Sequence, residues 1–299
     1  MKKFKNFFKK NLKFIIILIV AIIITSMVSV YAAYSYLSTD VSYTKADGTT
    51  VSVADALNEL YKNKTSSSAT TANVTTEMDY TGYYADIDTD GTPDGVIFAD
   101  IALTCSGTWS STNSSTFSYS GVTSGLKSYY ISGVYYGDYG KNFVISPVSG
   151  TSGTDRFYIM SLTDFDNGVH SWYYSANGKM SDYASYTSTA FGKGKENTTK
   201  MITKWNASGY GTHDSSDVWK LIQTKVNAGW FVPSKDEWSA FGKTLGITKY
   251  NHSTYNLKDD YWSSSQYNTG CAWRANFSDG SVGYGGVDST RYVRLAATF

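Results

Sequence analysis

Cysteine and histidine are nearly absent: 299 residues contain two of the first and three of the second. Two cysteines, Cys105 and Cys271, exclude both a disulfide-framework fold and a four-cysteine zinc site. They leave open one long-range disulfide in an exported chain or two unpaired thiols. His170, His213 and His252 have no metal-ligand spacing, and no His-Glu-x-x-His occurs. The Gly-x-Ser-x-Gly nucleophile elbow is missing as well. Gly242-Lys243-Thr244 looks like the end of a phosphate-binding loop, but the glycine required five residues earlier is Glu237. The stretch also has helical spacing, so nucleotide binding fails on both counts. No enzymatic activity is expected.

Charge is scarce too, at 17% of residues, and unevenly placed. Residues 1–33 hold six lysines and no acid, so the remainder has 20 basic against 25 acidic groups, a net of −5. A mildly acidic remainder offers no electrostatic footprint for nucleic acid. The lysines belong with a membrane instead. Lys2, Lys3, Lys5, Lys9, Lys10 and Lys13 precede an uncharged, strongly apolar stretch that starts at Phe14. This charge order places the N-terminus in the cytoplasm and the rest of the chain outside. Residues 14–36 supply the roughly 20 apolar residues that a transmembrane helix needs. Val30-Tyr31-Ala32 resembles a signal-peptidase site. The exported chain is therefore either anchored at the cell surface by this segment or secreted after cleavage behind Ala32.

What the chain has in abundance is aromatic and small polar residues. Aromatics make up 16%, with 26 tyrosines, alongside much Ser, Thr, Asn and Gly. Four segments follow. Residues 1–37 are the basic and apolar start. Residues 38–62 form a short stalk in which Ala54, Leu57, Leu60 and Tyr61 recur at helical spacing behind Ser52. Residues 63–77 are a Ser/Thr linker, and residues 78–299 are the ectodomain.

Within the ectodomain, Gly95–Ala102 and Asp155–Met160 read as buried strands. Helical spacing appears over Asn197–Trp205 and Ser215–Asn227, the second ending at Gly229. Ser234 with Glu237 is a capping box whose helix turns Trp238, Phe241 and Leu245 inward. Trp273, Ala275 and Phe277 then alternate with Arg274, Asn276 and Ser278 ahead of an Asp279-Gly280 turn. The last strand alternates Val293, Leu295, Ala297 and Phe299. Strands, two or three helices and then C-terminal antiparallel hairpins predict an α+β fold, preceded by the transmembrane helix.

Asp86, Asp88, Asp90 and Asp94, with Gly91 allowing a sharp turn, have the acidic spacing of a Ca2+ loop. The bidentate Glu of an EF-hand is replaced by Ile97 at the twelfth position. The segment is either a calcium site or an Asp/Gly-rich turn leading into the strand.

Four blocks carry a resemblance: Gly229-Trp230-Phe231-Val232-Pro233-Ser234 with Glu237-Trp238, Tyr261-Trp262-Ser263-Ser264-Ser265, Ala272-Trp273 through Gly280, and Arg291-Tyr292-Val293-Arg294. Together they resemble C-type-lectin-like bacterial surface domains. The groups they are similar to are the Fibrobacter-type major paralogous domains and the variable proteins of diversity-generating retroelements. The formylglycine-generating enzyme superfamily is a more distant likeness. The resemblance implies a C-type-lectin-like fold with a core of Trp230, Trp238, Trp262, Trp273 and Phe277. It implies a ligand face of Gln266, Tyr267, Asn268, Thr269, Arg274, Asn276, Ser278, Ser281, Tyr284, Asp288, Ser289 and Arg291, and tyrosine chemistry adds Tyr292. The Glu-Pro-Asn and Trp-Asn-Asp motifs of calcium-dependent animal lectins do not occur.

Rigid aromatics with adaptable polar neighbours are the chemistry of recognition. The expected function is an adhesin-like surface protein that binds a host or bacterial glycan or protein. A retroelement-diversified receptor and a structural surface or pilus-associated subunit are the rivals.

Overall fold

The computed structural model describes residues 42–44, 50–52, 74–110, 115–139, 141–174, 186–207 and 216–299. The chain divides into two compact units, 1–70 and 71–299. In the first, β1 (Ser42–Thr44) pairs antiparallel with β2 (Thr50–Ser52). Ser52, the expected helix cap, therefore ends a strand. The stalk helix expected beyond it, the Ser/Thr linker and the apolar segment 14–36 lie outside the described residues.

The second unit is built mainly from short strands. Its largest sheet has six, in the order β15-β9-β4-β3-β8-β7. These are β3 (Tyr84–Ala85), β4 (Gly95–Asp100), β7 (Tyr129–Val134), β8 (Phe143–Pro147), β9 (Phe157–Ser161) and β15 (Ala296–Thr298). All neighbours run antiparallel except β3 and β8. The period-2 pleat sends alternate residues to opposite faces, and both faces are covered. Val96, Met160 and Ala296 enter one core with Trp238 and Phe241. Their neighbours Ile97, Ile159 and Ala297 enter another with Tyr80, Tyr129 and Phe157. Such two-sided burial explains why these strands read as continuous apolar runs.

A three-stranded sheet follows, β11 (Asp260–Asn268), β12 (Cys271–Asn276) and β13 (Ser281–Gly286). Two-stranded ladders complete the set: β5 (Cys105–Thr108) with β6 (Thr116–Tyr119), and β10 (His170–Ser171) with β14 (Thr290–Arg291). The described helices are α1 (Gly194–Asn206), α2 (Val218–Leu221), α3 (Gln223–Asn227) and α4 (Lys235–Thr244).

The expected α+β class with a C-type-lectin-like fold is corrected by this architecture, which is mostly β-sheet with four short α-helices among the described residues; the leading transmembrane helix expected over 14–36 lies outside them. Helices α1–α4 all fall within 194–244, and there the Ser215–Asn227 pattern breaks at Ile222 into α2 and α3. The described part of the tract from Tyr84 to Ser161 holds seven strands joined by turns and loops. No helix among the described residues is long and apolar enough to cross a membrane.

The local expectations on α1 and α4 fare differently. Met201 and Trp205 are buried on α1. Ser234 and Glu237 form a complete capping box: the Glu237 N–H donates to Ser234 Oγ (3.3 Å), and the Ser234 N–H donates to Glu237 Oε2 (2.7 Å). The Gly194 N–H, opening α1, donates to the other carboxylate oxygen at 3.2 Å. A Cβ at Gly194 would overlap Glu237 and the Phe231 ring, so only glycine permits this approach.

Full burial pushes the Glu237 carboxyl up from 4.5 to about 7, against the pull of its backbone donors. Between those values the native state binds a proton that the unfolded chain does not, so stability falls as pH rises through the window. The displacement is worth at most about 3 kcal/mol. Melting temperature should therefore fall between about pH 4.5 and about pH 7 through this group, and Glu237→Gln should flatten that part of the profile. An unchanged slope in the variant would assign it elsewhere.

Candidate functional site

The C-terminal sheet sorts the expected face residues by strand alternation. Strands β12 and β13 pair in register, Trp273 opposite Tyr284, Arg274 opposite Gly283 and Ala275 opposite Val282. Trp273, Ala275, Val282 and Tyr284 therefore share one side, and Arg274 and Asn276 the other. Strand β11 breaks register with β12 between Trp262 and Gln266 and again between Gln266 and Asn268. Bulges of this kind re-aim side chains, and here Tyr267 joins the Trp273 side.

The result is an aromatic patch. Tyr267 and Tyr284 stack with centroids 4.0 Å apart and planes 8° from parallel. Trp273 meets both edge-on, at 5.1 and 6.0 Å. The Lys235 ammonium stands 5.2 Å from the Trp273 ring centre. Tyr267 and Tyr284 are 37% and 47% exposed, whereas large aromatics elsewhere in this sheet, Tyr261 and Trp262, are fully buried. Trp273, expected in the core, is half-buried in this patch; Trp230 is half-buried too. The other expected core rings, Trp238, Trp262 and Phe277, are buried.

On the opposite side Arg274 and Arg291 converge on Asp260. Arg274 Nη1 and Arg291 Nε both lie 2.8 Å from Asp260 Oδ2. The Arg291 guanidinium also stacks on Trp262 at 4.2 Å. Gly285 makes room, since a Cβ there would overlap the guanidinium. Burial pushes the Asp260 carboxyl up while both arginines pull it down, and burial lowers Arg291. A cleft of about 310 Å³ opens beside them, lined by Val169, His252, Lys258, Thr290 and Tyr292 among others. Arg274 and Arg291 are thus half-buried and engaged within the fold.

The remaining expected face residues fall into other settings. Asn276, Ser278 and Ser281 knit the β12–β13 turn: the Asn276 amide and the Ser281 hydroxyl both donate to Asp279, and the Ser278 hydroxyl donates to Asn276. Gln266 is buried and its N–H donates to Thr187 Oγ1. Asn268 and Thr269 sit at the β11–β12 turn next to Tyr267, and Asp288 and Ser289 are exposed beyond β13. Tyr292 is half-buried against Tyr261. Both cysteines are free and half-buried.

The acidic loop lies on the six-stranded sheet, between β3 and β4. The structure brings one oxygen each of Asp86, Asp88 and Asp94 within 4.8 Å of one another. Asp90 is exposed and turned to its own backbone, its Oδ1 accepting from the Thr92 N–H. Burial pushes both Asp86 and Asp94 upward.

Comparison with known proteins adds little. No family model matches the chain, and no curated protein matches it. A fimbrial protein from Bacteroides ovatus ATCC 8483, known from its crystal structure, aligns at 16% identity over 48% of this chain and 36% of its own, with a TM-score of 0.34. That likeness is too slight to carry an argument.

Lys235, Asp260 and the outward position of Trp273 were not anticipated from sequence. For Asp260 a signal was present: it stands two residues before Trp262, on the same side of an alternating strand and diagonal to Arg274, which pairs with Trp262. For Trp273 none was, because it alternates with Ala275 and Phe277 exactly as a core residue would.

Truncating Asp260 to Ala leaves two arginines without their carboxylate. It should cost about 2–3 kcal/mol in urea unfolding, as loss of a partly buried network does. Lys200→Ala, at the exposed Lys200–Glu196 pair, should cost under about 0.5 kcal/mol. Equal losses would show that the Asp260 network contributes no more than a surface ion pair.

Proposed function

We propose that the chain is an exported surface protein that recognises a glycan or a protein on another surface through the Tyr267–Trp273–Tyr284 patch. The observation that carries this reading is the exposure of two mutually stacked tyrosines on a sheet whose Tyr261 and Trp262 rings are fully buried. Tyrosine and tryptophan supply large contact area with few rotatable bonds and a polar tip, so little entropy is lost on binding. Stacking and the edge-on tryptophan hold the rings before any ligand arrives. Asn268 and Thr269 give a polar rim of the kind that surrounds an apolar contact centre, while Lys235, buried and paired with Asp236, backs the Trp273 ring. The lysine-led apolar N-terminus supports export. The residues that form the patch contain no nucleophile paired with a base, which fits binding better than catalysis.

A second reading is a structural surface or pilus-associated subunit. It draws on a different feature, β7, which ends the order of the six-stranded sheet and among the described strands pairs with β8. Val134, Tyr135, Tyr136 and Phe143 are exposed at that edge. The Val74 N–H donates to Tyr129 O at the start of β7; beyond that contact, an edge strand with exposed apolar side chains is a template for adding another strand.

Tyr267→Ala combined with Tyr284→Ala separates the two. On arrays of glycans and bacterial or host surface proteins, the recognition reading expects the double variant to lose at least about tenfold in affinity, or about 1.4 kcal/mol, with the melting temperature held. Undiminished array binding would remove the patch as the contact. Concentration-dependent polymers of the unmodified chain, with no array signal, would favour the subunit reading instead.

A further inference from the structure

The pairing of Ala85 with Gly95 makes residues 86–94 the loop of the β3–β4 hairpin. Gly91 takes φ +92° and Thr89 φ +62°, and this path turns the loop back on its own first residue. Acidic side chains gathered on a turn are commonplace and do not by themselves make a site. Asp86 sets this group apart. It directly follows β3, its N–H donating to Ile145 O of β8 at 3.0 Å, and it is only 3% exposed. Its Oδ2 accepts from the Gly91 N–H at 3.1 Å and from Ser146 Oγ at 3.5 Å. The Thr89 N–H also draws on this carboxylate, but the enclosed Oδ1 has no donor at hydrogen-bond distance and angle.

A desolvated carboxylate oxygen without a donor is costly. The cost grows when two further carboxylates stand within 4.8 Å. A hard cation relieves both problems, since it coordinates the unpartnered oxygen and neutralises its neighbours. We propose that this loop binds one Ca2+ through Asp86, Asp88 and Asp94. Three carboxylates supply part of the six to eight oxygens that calcium takes, and loop carbonyls and water complete the shell. Calcium fits better than magnesium, which keeps most of its water and is held by one or two carboxylates. Asp90 stays outside the site because its carboxylate does not converge with the other three; Asp88 Oδ1 and Asp94 Oδ2 each accept one backbone N–H, from Asp90 and Ile87. Bound there, the ion ties the loop to β3 and, through Ser146, to β8. The site stands on the six-stranded sheet and does not depend on the recognition patch.

The test is equilibrium dialysis of the full chain, stripped of metal by chelation, against radioactive calcium alone. The expected result is one ion per chain with a dissociation constant of about 1 mM or tighter, the range of extracellular calcium modules. Asp88→Asn should weaken binding at least about tenfold, and Asp90→Asn less than about twofold. Asp88 is exposed, and an asparagine Oδ1 still accepts from the Asp90 N–H, so the fold survives the change; circular dichroism without calcium checks this. No uptake by the unmodified chain at several times that concentration, unaltered uptake by Asp88→Asn, or an equal loss in Asp90→Asn would each overturn the proposal.

Discussion

The C-terminal half of the second unit is organised around one buried carboxylate. Glu237 receives the first free N–H of its own helix and the N–H that opens α1, so two helices start at one charge-accepting point. Helix N-termini leave backbone donors unsatisfied, and a carboxylate between two of them satisfies both. The neighbouring residues extend the arrangement into the sheet. The Lys235 N–H donates to Ser265 Oγ, which donates onward to Ser188 O. The Ser264 N–H donates to Pro233 O, and the Asn197 amide reaches Ser264 Oγ. Ser263, Ser264 and Ser265 are all fully buried, and their hydrogen bonds account for a polar run that would otherwise be untenable inside a protein. These bonds also leave the middle of β11 unpaired with β12, and that is where the strand slips register and brings Tyr267 onto the exposed patch.

From this follows a division of labour across one thin sheet. Arginine and aspartate lie on one side, with Arg274 and Arg291 held on Asp260 and Trp262. Tyrosine and tryptophan lie on the other and reach solvent at its end. Two further buried pairs hold the rest of the unit. Arg156 contacts both carboxylate oxygens of Asp100 at 2.7 and 2.8 Å, and Arg294 contacts Asp164 at 2.7 Å. Bidentate geometry of the first kind fixes orientation as well as charge. The arginines near the C-terminus are thus parts of the scaffold, which leaves the neighbouring aromatics as the proposed contact.

Where sequence period was long and local, the chain was legible. The capping box, the inward Trp238 and Phe241 and the strand around Ile97 are all set by neighbours within a few residues. Fold class was harder to read. Many strands here are two to five residues long, too short to show alternation, and they outnumber the helices. At the site, alternation put Trp273 with Ala275 and Phe277, but it cannot say where a sheet runs out of core. The register slips of β11 are set by Ser188, Asn197 and Pro233, all distant in sequence, so no local pattern announces them. The acid spacing of 86–94 was visible; which of the four carboxylates converge was decided by the turn at Thr89 and Gly91.

The most direct measurement of the central claim is hydrogen–deuterium exchange of the chain, free and saturated with a ligand recovered from an array. The account predicts slowed exchange centred on residues 266–274 and 282–286, with the β7–β8 edge unchanged. Protection confined to residues 129–147 would contradict it and place the contact on the sheet edge.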